Sequence, residues 1–152
     1  MDLKQITKPV VTIGEEASFV DALNLMVEDK TNSLIVIDDE GVIVGEVCVT
    51  DLLSATVPAY IEGDGIAAHF TTEEIFNSTV QEAADKKVSD FMDKDFHAIH
   101  EDASMMQVAV AAIEQDKSRI PVIDSEDKPI GIVSRRGIKH ILAKQFDIKD
   151  SD

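Results

Sequence analysis

Gly131-Ile132-Val133-Ser134-Arg135-Arg136-Gly137 runs from an apolar, β-branched strand into a polar, cationic turn, and Ile138, Ile141 and Leu142 then recur at helical spacing. Ahead of it, Ser118-Arg119-Ile120-Pro121-Val122-Ile123-Asp124 reads as another strand, and a polar turn separates the two. The same arrangement occurs a second time. Gly45 stands 86 residues before Gly131, preceded by Ser33-Leu34-Ile35-Val36-Ile37-Asp38 and followed by Glu46-Val47-Cys48-Val49-Thr50-Asp51-Leu52-Leu53. A chain built twice from one unit is read as a pair, and its function is sought between the halves.

Working outward, the duplication holds without a gap from about Val10 to Leu53. Ile99 matches Ile13, Glu101 matches Glu15, and Ala103-Ser104 matches Ala17-Ser18. Val10-Val11-Thr12-Ile13 has strand composition. Ser18 with Asp21, and Ser104 with Gln107, have the spacing of N-terminal helix caps. Phe19, Ala22, Leu23, Met26 and Val27 then share one helical face. Leu34 to Ile37 has too few polar positions for a half-exposed strand. Val42 to Val49 is the next strand, and Thr50 or Asp51 opens a second helix. The last helix runs from about Arg136 to Phe146, with Ile138, Ile141, Leu142 and Phe146 on one face. Units this small bury little alone, so the two are expected to pack face to face about a pseudo-two-fold axis. Residues 55–87 have no counterpart. Pro58 and Gly63-Asp64-Gly65 break the segment, and a helix is expected over 72–86, with Ile75, Val80 and Ala83 as its weak apolar face. The expected organisation is a first repeat over 1–54, an insert over 55–87, a second repeat over 88–146 and a disordered tail over 147–152.

Composition narrows the function. The chain carries a net charge of −16, and 44% of its 152 residues are apolar, enough for a core. So acidic a surface argues against nucleic acid and against an anionic membrane as partners. No apolar run approaches a membrane span, the N-terminus lacks a signal-peptide core, and the single cysteine, Cys48, excludes an internal disulfide; the expectation is a soluble, cytoplasmic protein. The three arginines, Arg119, Arg135 and Arg136, all lie in the polar turns of the second repeat, which invites an anion. His97 and His100 would face opposite ways on a strand, a poor zinc geometry, and no catalytic Ser-His-Asp, Cys-His or phosphate-loop arrangement is present. The chain is therefore expected to be non-enzymatic, with no metal site and no required cofactor.

Strand-helix-strand-strand-helix, twice, with Val88-Ser89-Asp90-Phe91-Met92 leading the second copy, resembles a tandem CBS-domain pair, or Bateman module. The marks are the apolar-Gly-apolar-apolar-[Ser/Thr]-x-x-Asp segment and the Arg-apolar-Pro-Val-apolar-Asp segment. The resemblance implies an α/β fold of two β-α-β-β-α repeats with a helical insert between them. It further implies a regulatory module that binds AMP, ADP, ATP or S-adenosylmethionine in the cleft between the repeats, with or without magnesium. Such modules commonly form homodimers and relay ligand state to another protein, whose identity is unknown here.

Transferred residue by residue, the pattern is asymmetric. The first copy keeps the ribose-binding carboxylate as Asp51, beside Thr50, but has Cys48 at the Ser/Thr position. The second keeps Ser134 and, at a position that contacts phosphate in some members, Arg119; Gly137 replaces its ribose carboxylate. One preferred ligand per chain is expected. Its adenosine would lie against Val10, Val11, Thr12, Ile13 and Ile35 with the ribose on Asp51, and its phosphates would meet Arg119, Ser134, Arg135 or Arg136, beside Pro121. Plainer roles stand beside these: Asp51 and Ser134 as helix caps, the arginines as a solvated basic patch, Cys48 and the methionines as core. Cys48 and Gly137 also leave open a ligand-free dimeric adaptor whose working part is the insert.

Overall fold

The computed structural model describes residues 3–58, 63, 65–115 and 119–150. Two three-stranded sheets organise it, ordered β1-β2-β3 and β4-β5-β6. The first comprises β1 (Thr12–Gly14), β2 (Ser33–Ile37) and β3 (Ile43–Cys48); the second β4 (Ile99–His100), β5 (Arg119–Ile123) and β6 (Pro129–Ser134). In each sheet the first two strands are parallel, Thr12 opposite Ile35 and Ile99 opposite Val122, and β5 pairs antiparallel with β6. The parallel pairs are joined by α1 (Phe19–Glu28) and α6 (Met105–Glu114), as a parallel connection requires. Each sheet ends in a helix: α2 (Val49–Thr56) and α7 (Arg135–Lys144).

The helix caps form as expected. Asp21 N–H donates to Ser18 Oγ at 3.1 Å and Ser18 N–H to Asp21 Oδ2 at 3.0 Å; Ser104 and Gln107 repeat the box at 3.2 and 2.8 Å. The apolar faces divide differently from the expectation. Phe19, Ala22 and Met26 are buried, whereas Leu23 and Val27 on the same helix are exposed; on α7 Ile141 is buried and Leu142 exposed, and the helix stops at Lys144, short of the expected Phe146, which is also exposed. Met106 also faces solvent, so the methionines are not uniformly core.

Packing gathers the chain into two compact units that do not follow its linear order. One takes the N-terminal segment to Val10, Gly41–Ile43 and the chain from Phe96 onward; the other takes Val11–Glu40 and Val44–Asp95. Each has its own buried cluster, one around Ala22, Leu34, Val36 and Val47, the other around Val108, Ile120, Val122 and Val133. Exchanged leaders make this possible. A 3₁₀ turn, Leu3–Gln5, places Leu3 and Ile6 in the second repeat's cluster, and Lys8 exchanges two 2.9 Å backbone bonds with Ile132 on β6. In the other unit α5 (Val88–Phe91) docks on the first repeat, with Val88 N–H donating to Ala17 O at 2.8 Å and Phe91 edge-on to Phe19 at 5.8 Å.

The insert contains α3 (Gly65–His69) and α4 (Glu73–Ala83). Thr72 caps α4, its Oγ1 accepting from Ile75 N–H at 3.2 Å, and the helix ends three residues before the expected Lys86. Lys86 instead donates from Nζ to Ala55 O, at the end of α2. Asp147 to Asp150, expected as disordered tail, close α7: Asp147 adopts φ 56°, and Ile148 N–H donates to Ala143 O at 3.0 Å, a Schellman closure. Ser118 and the last two residues of the tail lie outside the described residues. Among the described residues no helix is long and apolar enough to cross a membrane.

Candidate functional site

In the unit built on the first repeat, Asp51 sits in the first turn of α2. The helix begins at Val49, earlier than expected, because Cys48 is its N-cap. Cys48 is consequently half-buried at the end of β3 and not a core residue. Its backbone N–H donates to Asp51 Oδ2 at 2.8 Å, its thiol to the same oxygen at 3.2 Å, and its Sγ lies 2.8 Å from Thr50 Oγ1. The capping role of Asp51 is thus real, and it uses one carboxylate oxygen. A carboxylate has about four acceptor positions, so the two Cys48 bonds leave part of its capacity unused by the cap.

Asn32 pins the rest of this set in place. Its carbonyl accepts from Val49 N–H at 3.2 Å, which holds the start of β2 against the start of α2. Ile35 N–H donates to Val11 O at 2.9 Å, and Thr12 lies opposite Ile35. Val11 and Thr12 thus meet Ile35 across β1 and β2, and Asn32, just before β2, is tied to the start of the helix that carries Thr50 and Asp51. Ile13 and Ile35 are buried, Leu34 and Val36 entering the core while Ile35 faces the other side of β2. What these two isoleucines can offer a ligand is backbone, not side chain. Sequence reasoning missed Asn32, whose contribution is a carbonyl that any residue could supply.

The other unit assembles the cationic set. Arg119 and Ser134 are direct register partners at the open end of β5 and β6, and Arg135 and Arg136 follow on the first turn of α7. Ser134 caps that helix, its Oγ accepting from Gly137 N–H at 3.2 Å, which keeps the hydroxyl proton for donation. Guanidinium groups, a hydroxyl and first-turn helix amides are groups whose chemistry suits anionic oxygens. Pro121 is fully buried and presents no side chain to it.

Gly137 explains the missing carboxylate. A Cβ at this position would lie 3.2 Å from Ile6 Cβ and 3.5 Å from Ile6 O. The exchanged leader therefore covers the place where the first repeat carries Asp51. A glycine inside a helical pattern is the sequence signal for such a close neighbour, although nothing in it names Ile6. Among the described residues no group of three His, Cys, Asp or Glu could hold a metal ion.

Comparison with known proteins bears on both sets. A model of the CBS domain matches residues 2–57 and 88–144. The CBS domain-containing protein CBSX1, chloroplastic, of Arabidopsis thaliana is 28% identical over 142 residues, covering 88% of this chain and 56% of that protein. The chain thus spans about half the length of CBSX1 and CBSX2. The crystal structure of the CBS-pair protein CBSX2 from Arabidopsis thaliana matches with a TM-score of 0.75 at 24% identity, covering 97% of this chain and 98% of that one. A structure of CBSX2 in complex with AMP matches with a TM-score of 0.67 at 24% identity, covering 93% and 96%. The CBS domain pair of MJ0100, in complex with 5′-methylthioadenosine and S-adenosyl-L-methionine, matches at 0.66 and 21%, covering 93% and 99%.

Proposed function

The chain belongs to the CBS-domain family, and on that premise we propose that it is a non-catalytic sensor of an adenosine-containing ligand: AMP, ADP, ATP or S-adenosylmethionine. The observation that carries this reading is Asp51. Its Oδ2 takes the two Cys48 bonds, which leaves carboxylate acceptor capacity for the proposed ribose hydroxyls, and Val11, Thr12 and the Ile35 backbone are the proposed surface for the base. Arg119, Ser134, Arg135 and Arg136 are the proposed phosphate or carboxylate ligands. Complexes of CBSX2 with AMP and of MJ0100 with adenosyl compounds support the ligand class. Ligand binding shifts the population of module conformations, and a regulated protein reads the shift.

The test is a thermal-shift panel with those four ligands, with and without magnesium. A ligand at about 100 times its Kd adds roughly 2.7 kcal/mol. The expected result is a raised midpoint for at least one ligand that Asp51→Asn abolishes, because Asn keeps an acceptor for the Cys48 cap and loses the carboxylate. A double-mutant cycle of Asp51→Asn with Arg119→Ala then reports whether the two sets act on one molecule: coupled losses assign them to the same ligand, and additive ones do not.

A second reading, a ligand-free dimeric adaptor, draws on Gly137 and on the exposed apolar faces of α1 (Val20, Leu23, Val27) and α6 (Met106, Val110, Ile113). We propose that a second copy of the chain covers these faces in either reading. Sedimentation of the Val27→Glu variant tests the homodimer, with a monomer as the expected product.

A further inference from the structure

The insert contains a cavity of about 460 Å³, within the size range of small-molecule sites. Val57 and Pro58 beyond α2, Ala68 of α3, and Ile75 and Phe76 of α4 line it. Among the described lining residues, the two that bear hydroxyls contribute no outward proton: Thr71 Oγ1 donates to Ala68 O and Thr79 Oγ1 to Phe76 O, each at 2.8 Å. Ile75 and Phe76 are left 43% and 49% exposed, apolar surface that an occupant would remove from water.

Charge then selects the occupant. Residues 55–85 include six carboxylates and neither Lys nor Arg, and Lys86, the next cation along the chain, is engaged with the Ala55 carbonyl. Among the described lining residues, a phosphate, carboxylate or sulfonate would meet no Lys or Arg and no outward hydroxyl proton. The cavity also differs from the adenosyl set in position. It meets α2 just past its C-terminal end, at Val57, whereas Asp51 occupies the first turn of that helix.

We propose that the insert is a second binding site, for a small, uncharged apolar molecule rather than an anion. Val57, Ala68, Ile75 and Phe76 supply its walls, and the acidic composition of the segment, with neither Lys nor Arg, disfavours anions.

Two fluorescent probes with the same ring system test this on the full chain: neutral N-phenyl-1-naphthylamine and its sulfonated relative 1-anilinonaphthalene-8-sulfonate. Titrations at about 0.3 M salt screen the chain's overall charge. The neutral dye is expected to bind saturably and the sulfonate about tenfold more weakly or less. Ala68→Phe and Thr79→Leu, two independent ways of filling the cavity, are each expected to weaken the neutral dye about tenfold, with helical content checked by circular dichroism. Saturating AMP is expected to leave the dye bound. The proposal is overturned by absence of saturable binding, by equal affinity for both dyes, by undiminished binding to a folded cavity-filled variant, or by displacement with AMP, which would place the dye in the adenosyl set.

Discussion

Asp51 and Gly137 occupy equivalent positions on α2 and α7, and the difference between them makes the two halves of the molecule unequal. Asp51 closes its helix through Cys48, so Asp51→Ala is expected to cost about 1 kcal/mol of stability as well as ligand binding, whereas Asp51→Asn loses mainly the ligand. Urea unfolding beside a binding titration separates the two effects. The reverse change, Gly137→Asp, does not create a second ribose site, because its Cβ meets Ile6 at 3.2 Å. It is expected to destabilise the fold by about 1–3 kcal/mol and to leave calorimetric ligand stoichiometry unchanged. An increase in stoichiometry with undiminished stability would contradict the role assigned to Ile6. At this scale the sequence showed which residue types were present. The Cys48 cap has the local i,i+3 spacing of the other boxes but carries a thiol where a hydroxyl is usual, whereas Ile6 as a lid on Gly137 depends on a neighbour that sequence spacing does not encode.

Among the elements, the exchanged leaders carry the clearest consequence. Gly131 and Gly45 are equivalent by repeat, and each lies under a leader segment held by a single β-bridge, Lys8 to Ile132 and Asp93 to Glu46. A Cβ on Gly131 would meet Thr7 Cγ2 and, at 2.6 Å, the backbone oxygen of Lys8. On Gly45 it would meet the Met92 thioether at 2.7 Å and the Asp93 oxygen at 3.1 Å. A flexible methionine can yield and a paired backbone cannot, so Gly131→Ala is expected to lower the urea midpoint substantially more than Gly45→Ala. The turn joining β5 to β6 makes a pH prediction. Lys128 and Glu126 amides donate to Asp124 Oδ1 at 3.0 and 2.8 Å, and these two backbone bonds hold its pKa below the ordinary value. A depressed carboxylate stabilises the fold above its unfolded pKa and loses that contribution as pH falls through the folded one. The lower melting temperature expected for Asp124→Ala at neutral pH should therefore converge on that of the parent chain as pH falls below 3.8. Thermal melts across that range check it. The strands and caps were legible because periodicity and cap chemistry are local. The short α3 and the early end of α4 were not, because the segment's apolar spacing is weak and Lys86 is drawn to the end of α2.

For the whole molecule, charge is the dominant global quantity. A net charge of −16 on 152 residues opposes compaction, so melting temperature is expected to rise with sodium chloride up to a few tenths molar, as the Debye length shortens to roughly 5–10 Å. A melting temperature independent of salt would show that the carboxylates are locally compensated. The same excess makes the clustering of all three arginines in one unit the strongest signal for an anion in the sequence.

The sequence by itself determined the duplication, the α/β class, the strand and helix order within each repeat, and the asymmetry of Asp51 against Gly137 and Ser33 against Arg119. These follow from residue type and period, which are properties of neighbours along the chain. Only the tertiary structure decided that the leaders cross to opposite units, that Leu142 and Val27 face outward while Ile141 and Met26 do not, and that the insert forms an open cavity. Each of these depends on what another segment covers. A repeat this small completes its core only by borrowing apolar side chains from distant parts of the chain.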